Sequence, residues 1–154
     1  MCIMDFQNIL DTFNLGLKVK EFSQSTKSAQ DVANTLGCSL PQIAKSIVFK
    51  TQESPVLVVT SGSNKVDTFK VEQHIGTKIE KATPDYVFSE TGFIVGGVAP
   101  VGHKKLFPIL IDQDLMQYAE VWAAAGSSNA VFKLTPSQLV LITKGVVADV
   151  KLSS

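Results

Sequence analysis

Between Thr91 and His103 the chain reads Thr-Gly-Phe-Ile-Val-Gly-Gly-Val-Ala-Pro-Val-Gly-His, with four glycines and a proline among apolar residues. Glycine tolerates positive φ and lets backbone approach a ligand closely. Proline fixes φ and removes an N–H. Together they suit a firm loop whose amides point outward, able to hold a phosphate, a carboxylate or a developing oxyanion. The same composition suits a tight turn between two strands. Lys45 is a second candidate. It alternates with Ile43, Ile47 and Phe49, so a strand would set its ammonium on an apolar face. A cation there needs a partner or a polar cleft, unless it snorkels from a sheet edge. His103 could act as a general base or could brace the loop through a hydrogen bond. Lys104 and Lys105 could steer a polyanion or form a solvated surface pair.

Other chemistries lack their residues. Ser46, His103 and Asp112 supply the types of a nucleophilic triad, but no GxSxG elbow surrounds a serine. The GxxxxGK[ST] phosphate loop is absent. His74 and His103 are the only histidines, and neither has a second ligand at metal-binding spacing. No metal and no cofactor is expected.

A length of 154 residues with 45% apolar content predicts one domain, residues 1–154, with a substantial core. No apolar run approaches the roughly 20 residues of a membrane span. Asp5 interrupts the layout of a signal peptide. Cys2 and Cys38 form no disulfide framework, so a reducing cytoplasm is the expected compartment. The formal net charge is zero, which argues against binding nucleic acid by bulk electrostatics. All the basic residues are lysines, so any side-chain phosphate contact would be a point charge and not a bidentate fork.

The elements that must carry these residues are short. Met4–Leu15 has an amphipathic helical pattern, and Leu17–Phe22 alternates as an exposed strand. Ser28 can cap a helix over Ala29–Leu36 that Gly37 stops, followed by a turn over Cys38–Gln42. Ile43–Thr51 and the apolar run Val56–Val59 read as strands that could pair as a hairpin. Asp67 can cap a helix to His74; Lys78–Lys81 is a short strand; Pro84 opens a helix to Glu90. Leu106–Ile111 contains Pro108, which suggests an edge or bulged strand. Glu120–Ala124, Ala130–Leu134 and Val146–Val150 are further strands, with a helix from Thr135 to near Gly145. The fold class expected is α+β, a mixed, mostly antiparallel sheet curved toward a barrel and wrapped by helices.

In order along the chain, Ser28-Ala29-Gln30-Asp31-Val32-Ala33, Gln42 to Phe49, Val56 to Val59, Val66-Asp67, Thr91 to His103 and Ile111-Asp112 resemble the YbaK/prolyl-tRNA synthetase-associated editing domain family. The resemblance runs from about Phe22 to Leu139. It implies a freestanding hydrolase that deacylates mischarged tRNA, typically tRNA for proline carrying a small amino acid such as alanine or cysteine. A non-catalytic tRNA- or nucleotide-binding module of the same fold is the alternative. Lys45 matches the family's lysine beside the terminal adenosine and its phosphate. Ser46 matches a neighbouring small polar position, and Gly96–Pro100 matches the GxxxP loop. The resemblance implies an oxyanion held by the Gly97 and Val98 amides, with the substrate's ribose hydroxyl helping to place the water. His103 has a supporting role in this picture. A pocket wall of Phe22, Ile43, Val95 and Val98 is expected, with Ala99, Pro100 and Asp112 also at the binding site. Ala124-Ala125-Gly126 stands where the cysteine-removing branch has a Ser-Gly-Gly-like segment. With Ser127, it points toward an alanine-like or other small substrate. The partners implied are the 3' acceptor end of an aminoacyl-tRNA and a synthetase, with no membrane.

Overall fold

The run Pro55–Ser61 is apolar along nearly its whole length, and the computed structural model shows why: it is a strand buried on both faces. The structure describes residues 3–23 and 28–153, so Cys2 lies outside the described residues. Leu57 and Val59 enter one core, and Val56 and Val58 enter another on the opposite face of the sheet. A strand alternates its side chains, so two-sided burial requires a continuous apolar run.

The elements follow in order. They are α1 (Ile3–Asp11), β1 (Val19–Glu21), α2 (Ala29–Leu36), β2 (Ile43–Lys50), β3 (Pro55–Ser61), α3 (Thr68–Ile75), β4 (Glu80–Lys81), α4 (Pro84–Thr91), β5 (Ile109–Asp112), β6 (Val121–Ala124), β7 (Ala130–Leu134), α5 (Pro136–Thr143) and β8 (Val146–Ala148). Two 3-10 turns, Leu40–Gln42 and Gln113–Gln117, precede β2 and follow β5. The caps form where the sequence places them. Ser28, Asp67, Thr83 and Thr135 each accept a backbone N–H in the first turn of their helices. Gly37, Gly76 and Gly92 close α2, α3 and α4 in the left-handed conformation.

The sheet order is β1-β7-β6-β2-β3-β5-β8, with β4 on β2. The pairs β1/β7, β6/β7, β2/β3 and β2/β4 are antiparallel. The pairs β2/β6, β3/β5 and β5/β8 are parallel. The sheet is therefore mixed with an antiparallel majority, and among the described residues β1 and β8 are the two ends of the strand order. The expectation for the Pro108 strand needs correction. Pro108 lies just before β5, which runs between β3 and β8 and is not at an edge. The Pro108 carbonyl accepts the Leu57 N–H at 3.0 Å, so the proline sits where no ladder donor is required.

The larger core gathers Phe6 and Leu10 of α1, Val87 of α4, and Leu139 and Ile142 of α5 on one face. On the other face, Val71 of α3 packs with Phe49, Val56, Val58 and Leu110. Toward β6 and β7 this second face is covered by α2 and is not filled.

Candidate active site

The unfilled part of the second face is a cavity of about 290 Å³, near the lower end of the roughly 300–1,000 Å³ of small-molecule sites. Its position follows from the pairing of β2. One edge of β2 pairs with β3 throughout. The other edge pairs with β6 only at Ile43–Ala44 and with β4 only at Phe49–Lys50. Between them, Lys45 to Val48 meets no strand among the described residues, and the cavity opens beside Lys45, Ser46 and Ile47. Ala29 and Val32 of α2 form one wall. Ile43, Trp122, Ala124 and Val131 form the floor, tied in two pairs by register: Trp122 opposite Ile43, and Ala124 opposite Val131.

Lys45 Nζ donates to the Asn64 carbonyl at 3.2 Å. Burial, with the nearby Lys65 charge as the lesser cause, holds its pKa below the ordinary 10.5. No carboxylate neutralises it within ion-pair distance among the described residues, so the ammonium retains donors and charge for a ligand. Ser46 Oγ is buried and has no hydrogen-bond partner among the described residues. An orphaned buried hydroxyl in a cavity wall is a group that a ligand can satisfy.

The glycine loop forms the opposite wall through Val95, Gly96 and Val98. Gly96, at φ 93°, is the third residue of a turn closed by Gly97 N–H donating to the Ile94 carbonyl at 3.0 Å; a type II turn requires that left-handed position. The Gly97 amide, one of the two expected oxyanion donors, is thereby engaged within its own turn. The Val98 N–H makes no hydrogen bond among the described residues. Gly97 has a different necessity. A Cβ there would lie 2.8 Å from Ser127 Cα and 2.9 Å from Ser127 C. Only glycine lets the loop seat against the turn that carries Ser127.

His103 stands outside the cavity lining. Its Nε2 is 2.6 Å from the Ala99 carbonyl, an acceptor, so Nε2 carries the proton and donates. The ring packs edge-on to Phe93 and against Phe107. Burial pushes its pKa below the ordinary 6.5, with the Ala99 hydrogen bond a smaller opposing influence. The geometry is that of a neutral brace for the loop.

Asp112 is fully buried behind the site. It accepts from Thr60 Oγ1, the Ser61 N–H and Asn64 Nδ2 at 3.1, 3.0 and 2.9 Å. It reaches Lys45 only through Asn64, whose backbone carbonyl holds the ammonium. Phe22 is buried, and its N–H and carbonyl are tied to Asn129. Ala99 and Ala125 are core residues, and Gly126 packs beside Phe93 and Phe6. The structure thus brings Ile43, Lys45, Ser46, Val95, Gly96, Val98 and Ser127 together. It keeps Phe22, Ala99, Pro100, His103, Asp112, Ala125 and Gly126 outside the lining, and Gly97 beneath it. Sequence reasoning missed the α2 wall and Trp122. The period-2 pattern of β6 and β7 was the available signal: with Val121 and Ala123 in the core, Trp122 and Ala124 must face the other way.

Lys45, Ser46 and Val98 border a small, largely apolar chamber of an α+β domain, a concavity of the kind that takes a small ligand. The chain belongs to the aminoacyl-tRNA editing domain family, whose model matches residues 23–141. A solved structure of a candidate trans-editing enzyme for prolyl-tRNA synthetase superposes with a TM-score of 0.94 at 40% identity, over 98% of this chain and 97% of the other. The uncharacterized protein YwhH of Bacillus subtilis is 35% identical over 122 residues, 79% of this chain and 78% of its own. EbsC of Enterococcus faecalis, a candidate Cys-tRNA(Pro)/Cys-tRNA(Cys) deacylase, is 30% identical over 131 residues, 84% of this chain and 80% of its own.

Proposed function

We propose that this protein is a stand-alone deacylase that hydrolyses the ester between a small amino acid and the 3'-terminal adenosine of a transfer RNA, with tRNA for proline the first candidate. Family membership supports the reaction class. What supports the residue roles is that Lys45, Ser46 and Val98 all line one cavity. Water adds to the ester carbonyl, the ribose oxygen leaves with a proton, and the products are the free amino acid and uncharged tRNA. The Val98 N–H stabilises the carbonyl oxygen as it gains charge. One such donor is worth about 3 kcal/mol of barrier. Lys45 anchors the terminal nucleotide and holds the ester in place. The ester is already activated, so no side-chain nucleophile is required. The substrate's ribose hydroxyl assists the water.

In the segment that reads Ala124-Ala125-Gly126, only Ala124 faces the cavity, joined by Ser127. The choice between alanine and cysteine rests with those side chains and Ser46. A pocket separates substrates differing by one methylene by only about 1–3 kcal/mol, so overlap between small amino acids is expected. The protein acts in the cytoplasm, where charged tRNA is used, with a synthetase as its partner.

The test is deacylation of tRNAs charged with alanine, cysteine, serine, threonine and proline, by wild type and Lys45→Ala in parallel. One or two small amino acids should be released, with kcat/KM falling about 100-fold in the variant. No turnover on any substrate, with tRNA still bound, would replace this reading with that of a binding module.

A further inference from the structure

Beside the cavity, one aromatic ring stands among lysines in a way the hydrolytic chemistry does not use. Trp122 lines the cavity and is half-buried. Its indole N–H makes no hydrogen bond among the described residues. Lys133 lies directly opposite it in the β6/β7 ladder. The Nζ atoms of Lys133 and Lys20 lie 5.8 and 6.0 Å from the ring centroid. Lys20 comes from β1, where it pairs with Val131, itself a floor residue of the cavity. Strand alternation therefore puts Lys20, Trp122 and Lys133 on the cavity face of three neighbouring strands. Glu120 pairs with Lys133 at 3.4 Å, which leaves the group with a net positive charge.

A half-buried tryptophan flanked by ammonium groups is the arrangement that binds single-stranded nucleic acid: the ring offers a stacking face and the lysines meet the phosphates. The register fixes where such a strand would lie. Trp122 is opposite Ile43, and Lys45 is two residues further along the same face of β2. The Trp122 and Lys45 backbones are then about 8 Å apart, from strand rise and strand spacing. A chain whose terminal nucleotide is held by Lys45 can bridge that separation with its next nucleotide.

We propose that Trp122, with Lys20 and Lys133, is a subsite for the nucleotide preceding the terminal adenosine: its base stacks on the indole and its phosphate meets the lysines. This rests on the deacylase reading for the position of the terminal nucleotide. Trp122 acts as a positioning residue, and stacking contributes to holding the acceptor end and not to the chemical step.

Trp122 is the sole tryptophan of the chain, so intrinsic fluorescence reports this subsite alone. The trinucleotide CCA with a free 3' hydroxyl, titrated into the wild-type protein, should quench the emission well beyond the effect of adenosine monophosphate. CCA that fails to bind, or that binds to saturation with the emission unmoved, overturns the proposal. In deacylation, Trp122→Leu, which keeps apolar bulk but has no π face, should raise KM about tenfold with a much smaller change in kcat. Trp122→Phe should restore most of the loss. A wild-type KM in Trp122→Leu also overturns it. Lys20→Ala should shallow the salt dependence of CCA binding by about 0.7 in log–log slope. If the wild type deacylates no charged tRNA and CCA still quenches, the deacylase reading fails while the stacking subsite stands.

Discussion

At the residue scale, the two polar side chains flanking the loop serve different ends, and their titration separates them. His103 donates from Nε2 to the Ala99 carbonyl and sits among aromatic rings, with its pKa depressed chiefly by burial. The unfolded chain therefore binds a proton near pH 6.5 that the folded chain resists. Stability from this group is fully present above the ordinary 6.5 and is lost as the pH falls toward the lower folded value. Urea midpoints measured across this range should decline on acidification in the wild type. The decline should be shallower in His103→Gln, which keeps an N–H donor and cannot titrate. A catalytic base would instead lose its turnover in that variant at every pH. Lys45 was legible in the sequence as a cation on an apolar face, because a strand's period of two shows which neighbours it keeps. Ser46 was legible only through family resemblance, since nothing in the chain says that its hydroxyl lacks a partner.

At the element scale, the site depends on two contacts between segments that are far apart in sequence. The first is the glycine loop on the Ser127 turn. Gly97→Ala would press a methyl against backbone atoms of Ser127, and backbone cannot rotate aside as a side chain can. A loss of about 1–3 kcal/mol is expected, seen as a lower denaturant midpoint. Deacylation should fall even where the variant is folded, because Val98 moves with the loop. The second contact is the carboxylate of Asp112, which ties β3, the turn at Asn64 and the 3-10 turn after β5 together. Asp112→Ala would leave several buried donors unpaired, with a loss of about 3 kcal/mol. Asp112→Asn should lose less, since its remaining oxygen still accepts. Folded protein of either variant should show a raised KM if the Asn64 carbonyl holds Lys45 in place. An unchanged KM would confine Asp112 to stability.

At the scale of the whole molecule, the formal charge is zero and there is no arginine, so no long-range field draws in a tRNA. On the deacylase reading, binding would come from a few local lysines, and few neutralised phosphates would mean a modest affinity that weakens with salt. tRNA binding measured from low to moderately high salt should fall with a shallow log–log slope. Affinity that does not change over that range would contradict a lysine-based interface. On the same reading a synthetase would deliver the substrate to so weak a site, and adding a synthetase to the deacylation assay tests that directly.

The sequence by itself determined the local elements. Caps and stops are short-range physics: a side-chain oxygen within three residues of an amide, or a glycine at a left-handed position. Ser28 and Asp67 at one end and Gly37 at the other could therefore be read directly. It also singled out Lys45 and the glycine loop, parts of which line one cavity. The tertiary structure alone decided which edge of β2 stays open, because that depends on how far β6 and β4 run beside it, and no residue of β2 encodes the length of its neighbours. It likewise decided that Asp112, Phe22 and Ala125 are internal, and that the Gly97 amide is held within its own turn. Hydrogen-bond partners that are distant in sequence compete for the same groups that a ligand would use, and only the assembled fold settles that competition.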